Sequence, residues 1–284
     1  MRPGPGLGCP VCGSNSWPYL VRPDTSGSLW QLNVCECCRH GFVVNRPSKE
    51  ELASFYAEAR PGETQPPRAR HHSREAWEEA ERMAGAIARL SPGRGLVLDV
   101  GAGEGGFSSA LVRQGFRVHL LDAHPGVAEV AAGIPGSVST CSTFEAFVSC
   151  EVFEAVLMSQ VLEHAQDPAE WLAKARRLLA PSGLLAVAVP NFGGLYRILG
   201  TQDPFLIFPK HLNYFTPQSL SLAVKSAGLC VVEVRSSSLV AVRRPNGVTP
   251  VLRQIAAKVW NPMSRVWDRG CRGIILQAFA RRVA

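Results

Sequence analysis

LVLDVGAGEGGFSSALVRQGFRVHLLD, residues 96–122, decides the fold. An apolar run at Leu96–Val100 leads into a turn holding Gly101, Gly103, Gly105 and Gly106. A stretch of helical pattern follows, then a second apolar run that ends on Asp122. Strand, glycine turn, helix and second strand in that order make a ligand-binding unit. The glycines let the backbone approach a ligand closely, and a carboxylate closing the second strand can grip both hydroxyls of a ribose.

A G-x-G-x-G turn alone is shared by many nucleotide-binding loops, and Asp99 narrows the choice. A carboxylate two residues before the first glycine repels a pyrophosphate and suits a ligand with a cationic amino-acid end. Adenosine, free hydroxyls and such an end occur together in S-adenosylmethionine.

Outward from this unit the pattern keeps alternating. Strands are expected at Leu96–Val100, Val118–Leu121, Val138–Thr140, Ala155–Met158, Leu184–Pro190, Cys230–Val234 and Ile274–Phe279. Helices are expected near Phe107–Gln114, Gly126–Ala132, Pro168–Leu179 and Pro217–Ala227. The spacing predicts an α/β fold, a doubly wound, mostly parallel seven-stranded sheet, with ligands bound beyond the carboxyl ends of the strands. Upstream, Ser73 caps an expected helix from Arg74 to Leu90, with Trp77, Ala80, Met83, Ala84, Ile87 and Leu90 on one stripe. Pro47–Leu52 reads as the start of a serine-capped helix, and Pro61–Arg74, rich in Pro, Arg and His, reads as a loop or lid.

The chain begins differently. Cys9-Pro-Val-Cys12 and Cys35-Glu-Cys-Cys38 are two C-x2-C pairs separated by 22 residues. Such pairs place four thiolates around one tetrahedral ion, as in a two-knuckle zinc ribbon, with Cys37 the alternative to Cys38. Four cysteine ligands leave no open position, so a structural zinc holds the fold and does not activate water. A unit this small is hard to stabilise without such a staple. The domain reading is therefore a ribbon over 1–46, a helical linker and lid over 47–92, and a ligand-binding domain over 93–284.

At 284 residues with 46% hydrophobic and 19% charged side chains the chain is globular. It has no apolar run long enough for a transmembrane segment and no basic-then-apolar leader, so the expected compartment is cytoplasmic. The net charge of +7 is concentrated late: Ala241–Ala284 carries nine Arg or Lys against one acid, Asp268. Residues 243–273 read as a basic insertion with an amphipathic helix. It could dock on its own domain or a homodimer mate, a carrier, a membrane or nucleic acid. The ribbon loop has only Arg22 as a basic residue, which weakens the nucleic-acid reading.

Leu98-Asp-Val-Gly-Ala-Gly-Glu-Gly-Gly106 resembles the first motif of class I S-adenosylmethionine-dependent methyltransferases, and Asp122 matches the acid of their second. Gln160-Val-Leu-Glu-His-Ala-Gln-Asp-Pro168, Lys174-Ala-Arg-Arg-Leu-Leu-Ala-Pro-Ser-Gly183 and His211-Leu-Asn-Tyr-Phe-Thr-Pro-Gln-Ser-Leu220 resemble segments of the ubiquinone-biosynthesis-like branch. The ribbon is similar to the front end of some bacterial sugar C-methyltransferases. The resemblance implies that Asp99, Gly101 and Gly103 line the methionine and ribose portion. It also implies that Asp122 holds the ribose hydroxyls, that Ala123 and His124 lie beside adenine, and that Thr143 and Phe144 form the adenine loop. Gln160 would sit under the methionine end.

A sulfonium methyl is already activated, so the protein has to align a nucleophile and, for a hydroxyl or acidic carbon, remove its proton. His211 and His164 compete for that role. Glu163 orients a neighbouring histidine or caps a turn. Asn191, Tyr196, Phe205, Asn213 and Tyr214 are the candidate acceptor contacts. Large apolar residues in 192–199 and 204–209 favour an apolar or aromatic small-molecule acceptor, free or carrier-bound, of bacterial specialised metabolism. Oxygen is favoured over nitrogen or carbon. The alternatives are an RNA or peptide methyltransferase and a non-catalytic zinc-containing interaction protein. Neither paired carboxylates nor a second metal cluster is legible in the spacing.

Overall fold

The structure is a computed structural model that describes residues 8–24, 27–48, 50–51, 74–194, 197, 203–238, 268 and 270–283. Its centre is a seven-stranded sheet in the order β6 (Val138–Cys141), β5 (Arg117–Asp122), β4 (Leu96–Val100), β7 (Phe153–Ser159), β8 (Leu179–Pro190), β11 (Ile275–Arg282), β10 (Leu229–Ser237). β11 alone is reversed, running antiparallel to both neighbours. The strands and helices expected between Arg74 and Val234, and the strand at Ile274–Phe279, are present, within a few residues at their ends.

Period-two alternation builds the two core layers. Val97, Ala155, Leu157, Leu184 and Ala186 face one side, where they meet α1 (Arg74–Leu90), α2 (Gly106–Arg113) and α3 (Val127–Ala132). Leu98, Val100, Val156, Met158, Leu185 and Val187 face the other, against α4 (Pro168–Leu178) and α5 (Pro217–Ser226). The apolar stripe of α1 is buried as its spacing predicts: Ala80, Met83, Ala84 and Ile87 are 0–2% exposed. Asp167 caps α4 by accepting from the amides of Ala169 and Glu170. A Thr216–Ser219 capping box starts α5.

β8 begins earlier than Leu184. Leu179 already pairs with Phe153, and the register then jumps to Ala155 opposite Leu184, so residues 180–183 bulge out. Two arginines of the basic tail hold this bulge: Arg281 donates to Ser182 O and Arg282 to Leu179 O. These two charges are spent on backbone carbonyls within the fold.

A second sheet lies at the front of the chain, in the order β1 (Ser16–Pro23), β2 (Leu29–Cys35), β3 (Gly41–Val43), β9 (Asn213–Tyr214), with antiparallel pairing throughout. Its fourth strand comes from the other end of the molecule, so the ribbon shares its sheet with the ligand-binding part of the chain. Trp30, Leu32, Val34 and Val43 pack on Phe192, Leu206, Leu212 and Tyr214. The expected capping box is present, with Ser48 N donating to Glu51 and Glu51 N to Ser48 Oγ. The rest of that helix, the loop expected over 61–73, Tyr196 and nearly all of the basic insertion lie outside the described residues. Among the described residues no helix is long and apolar enough to cross a membrane.

Candidate functional site

The glycine turn leaves β4 with Gly101 at φ +68, and a Cβ there would lie 2.2 Å from Val161 Cγ1. Conformation and space both demand glycine at this position. Gly103 N donates to Asp122 Oδ2 at 2.9 Å, and His124 N donates to Asp122 Oδ1 at 2.8 Å. The half-buried carboxylate is thus oriented by two backbone donors, and each oxygen keeps a lone-pair direction for a further donor. A Cβ on Gly103 would meet only Gly101 O, at 3.9 Å. The loop therefore presents backbone to open space beside Asp122, as a nucleoside cradle requires.

Asp99 lies beneath the loop, 2% exposed, and accepts from Ser108 Oγ at 2.6 Å. Burial, with the nearby Asp122 charge adding, pushes its carboxyl up to about 7 against the lowering effect of Ser108. Ala123 O accepts from Cys141 Sγ at 3.5 Å. Thr143 caps a local turn, with Oγ1 accepting from Ala146 N at 3.3 Å. Phe144 is turned into the core, 3% exposed, with its ring edge-on to Trp171 at 5.1 Å. Gln160 follows β7 at φ +57, an uncommon conformation for a residue with a side chain, and its amide donates to Ala188 O at 2.8 Å.

A short 3-10 turn, Leu162–His164, comes next and holds the first of the two candidate histidines. The fold brings His164 and His211 together, with ring centroids 4.9 Å apart. His164 Nδ1 donates to Lys210 O at 2.7 Å and His211 Nδ1 donates to Phe205 O at 2.9 Å. A carbonyl can only accept, so His211 carries its proton on Nδ1, while His164 faces a second backbone partner at Gln160 as well. Burial lowers both; with the His164 charge adding, it takes His211 to about 3.

Glu163 is 1% exposed and neither of its carboxylate oxygens has a hydrogen-bond partner. Burial pushes it up to about 8. It neither caps a turn nor bonds a histidine. One ligand atom each from Glu163, His164 and His211 lies within 4.8 Å of the others. This second metal-capable set was invisible in the spacing because His211 comes from a distant segment.

The polar candidates for acceptor contact fare differently. Asn191 is fully committed, its Nδ2 donating to Cys271 O and Gly273 O and its Oδ1 accepting from Gly193 N. It staples the end of β8 to the start of β11 and has no amide atom left for a substrate. Asn213, 2% exposed, is likewise engaged: Nδ2 donates to Ala165 O at 2.7 Å and Oδ1 accepts from Arg46 Nη2 at 3.0 Å. Phe205 is half-buried and supplies the carbonyl that holds His211. Tyr214 is 3% exposed with an unpartnered hydroxyl beside the buried Asp203. Sequence reasoning missed Arg46, whose basic side chain gives no local sign of being buried.

Asp99 and Glu163 make stability depend on pH in an unusual direction. Both hold protons in the native state that the unfolded chain releases near pH 4, since their ordinary values are 3.8 and 4.5. Their contribution is complete below that range and is lost as pH rises through about 7 for Asp99 and about 8 for Glu163. Each contributes a slope of at most about 1.4 kcal/mol per pH unit. Urea midpoints measured from pH 5 to pH 8 should fall more steeply in the wild type than in Glu163→Gln. Parallel lines would refute the assignment.

At the front, the four sulfurs of Cys9, Cys12, Cys35 and Cys38 lie within 4.8 Å of one another, and no disulfide joins them. Separations of 3.6 Å (Cys9–Cys38), 3.4 Å (Cys12–Cys35) and 3.6 Å (Cys12–Cys38) approach the roughly 3.8 Å edge of a tetrahedron with Zn–S bonds near 2.3 Å. Cys37 is exposed and outside the set. The donor set suits one closed tetrahedral ion.

Residues 70–234 match the family described as a methyltransferase domain. A ubiquinone biosynthesis O-methyltransferase of Paramagnetospirillum magneticum is 30% identical over 188 residues, 63% of this chain and 68% of that protein. One from Xylella fastidiosa is 29% identical over 160 residues, 51% of this chain, and this chain spans only 65% of its length. Among solved structures, the 1,6-didemethyltoxoflavin-N1-methyltransferase of Burkholderia thailandensis, determined with 1,6-didemethyltoxoflavin and S-adenosylhomocysteine, superposes with a TM-score of 0.54 at 20% identity. That superposition covers 88% of this chain and 98% of the Burkholderia chain. The family match spans more than half of the chain and ends within β10, and the sheet order agrees with it: the chain belongs to the class I S-adenosylmethionine-dependent methyltransferases.

Proposed function

We propose that this protein transfers the methyl group of S-adenosylmethionine to an apolar or aromatic small molecule, with oxygen the favoured acceptor atom. One observation carries the reading: the carboxylate ending β5 accepts directly from the glycine loop that follows β4, in reach of open space. Gly101, Gly103, Asp122 and Ala123 form the cofactor cradle, with Asp99 bracing the loop from beneath, Gln160 at the methionine end and Thr143 on the adenine side, while Phe144, expected there, is turned into the core. S-Adenosylmethionine supplies an electrophilic methyl on a sulfonium. His211 takes the acceptor's proton at Nε2, while Phe192 and Tyr214 exclude water. Cys9, Cys12, Cys35 and Cys38 hold a structural zinc.

A second reading of the acceptor side is favoured by the unpartnered Glu163 carboxylate. Glu163, His164 and His211 each bring one ligand atom within 4.8 Å of the others, a donor set that would hold a divalent cation.

The test starts with calorimetry of zinc-loaded protein against S-adenosylhomocysteine, followed by isotopic methyl transfer to metabolite extracts, total RNA and a peptide library. Saturable transfer to the extract, with kcat lost in His211→Gln and affinity for S-adenosylhomocysteine kept, is the expected result. Transfer only to RNA or peptide would replace the small-molecule assignment. Stoichiometric manganese binding lost in Glu163→Gln would establish the second reading over the simple base.

A further inference from the structure

The contacts between the ribbon and the ligand-binding part converge on the two histidines. β3 pairs with β9, Gly41 opposite Tyr214 and Phe42 opposite Asn213. Val43 N donates to Leu212 O, and Leu212 N donates to Glu163 O, so one residue joins the ribbon's last strand to the histidine turn. The second metal knuckle touches the same region: Thr216 Oγ1 donates to Cys38 O and Gln218 Nε2 donates to Cys37 O. A run of rings follows the same path. Tyr19 meets Phe192 at 5.8 Å, Phe192 meets Tyr214 at 5.5 Å, Tyr214 meets His211 at 6.3 Å and His211 meets His164 at 4.9 Å.

Arg46, the exit residue of the ribbon, ties this seam together. Its guanidinium donates to Val43 O, to Gln166 O and to Asn213 Oδ1. Asn213 in turn donates to Ala165 O, directly after the 3-10 turn. Burial disfavours its charge, so the site tolerates it only through these oxygens and nearby Asp167. No comparable contact joins the ribbon to Asp99, Asp122 or the glycine loop among the described residues.

We infer that the ribbon is a positioning element of the acceptor site, with Arg46 as the positioning residue that sets the histidine pair through Asn213. The ribbon thus acts on one half of the reaction. Disturbing the seam misplaces the groups that meet the acceptor and leaves the cofactor cradle intact. This inference rests on the proposed roles of His164 and His211.

Two substitutions reach the seam without touching a metal ligand or the cofactor loop. Arg46→Ala removes the tie. Gly41→Ala places a methyl 2.9 Å from Phe192 Cε1 and Tyr214 Cβ and forces β3 and β9 apart. The measurement is the imidazole nitrogen-15 spectrum of full-length, zinc-loaded protein, assigned by His164→Gln and His211→Gln. The wild type should show His211 as the Nδ1–H tautomer and His164 as a single, ordered signal. In both seam variants the two signals should shift toward mixed tautomers, while zinc content stays at one per chain and affinity for S-adenosylhomocysteine changes by less than about threefold. Unchanged imidazole signals in both variants would overturn the inference, as would a loss of S-adenosylhomocysteine affinity parallel to the spectral change. Failure of the methyltransferase reading would show separately, as a wild type that binds no S-adenosylhomocysteine whatever its imidazole spectrum.

Discussion

Asp122→Ala should weaken binding of S-adenosylhomocysteine by about a hundredfold or more, roughly 3 kcal/mol by calorimetry, while the melting temperature moves little. Two losses combine. A carboxylate that accepts from two ribose hydroxyls makes charge-assisted bonds, which are stronger than neutral ones. The same carboxylate organises its surroundings, since Gly103 N and His124 N both point at it. Removing it leaves the glycine loop without the acceptor that fixes its height above β4. Asp122 is half-buried at the edge of the core, so folding does not depend on it. Asp122→Asn separates the parts: its one oxygen can still accept from one of the two amides but it carries no charge, and its affinity should fall between the other two. Wild-type affinity in Asp122→Ala would remove the cofactor assignment.

Stripping the metal should cost even more in stability. Cys9, Cys35 and Cys38 are 0–3% exposed and pack with Phe42 in a cluster that has little else to hold it. Binding energy for a closed four-thiolate site is largely folding energy, and in isolated peptides it reaches about 10 kcal/mol or more. Here packing against Phe192 and Tyr214 retains part of the ribbon, so a loss of several kcal/mol and a fall of about 10 °C in the melting temperature are expected. Cys38→Ser should reproduce the chelated protein, and Cys37→Ser should melt like the wild type with full zinc content. An equal effect from the two serine variants would reassign the fourth ligand.

The cofactor half of the molecule was legible because its signals are local. Apolar runs of the right length, a glycine turn and a closing acid fall within residues 96–122, and the contact of Gly103 with Asp122 follows from that order. The clustering of Cys9, Cys12, Cys35 and Cys38 was legible for the same reason, as pairs of fixed spacing. The acceptor half was not. β9 is two residues long, too short to show any periodicity, and its partner strand lies far away in sequence. Asn191 and Asn213 looked like substrate contacts because an amide's partners cannot be read from a sequence, and both turn out to be committed to backbone or Arg46. Glu163 was expected to orient a histidine or cap a turn, and only its burial shows it to be an unpartnered carboxyl beside two imidazoles.

The shared sheet also fixes an order of assembly. The four clustered cysteines all precede residue 39, so a growing chain carries the whole donor set long before β9 is made. β3 stays a bare strand edge until Asn213 and Tyr214 have been synthesised, and such edges invite pairing with other chains. The nascent protein therefore passes through a stage in which its front end is finished and sticky while its catalytic half does not yet exist. Truncations that end before residue 213 should aggregate through the ribbon, however well they bind zinc.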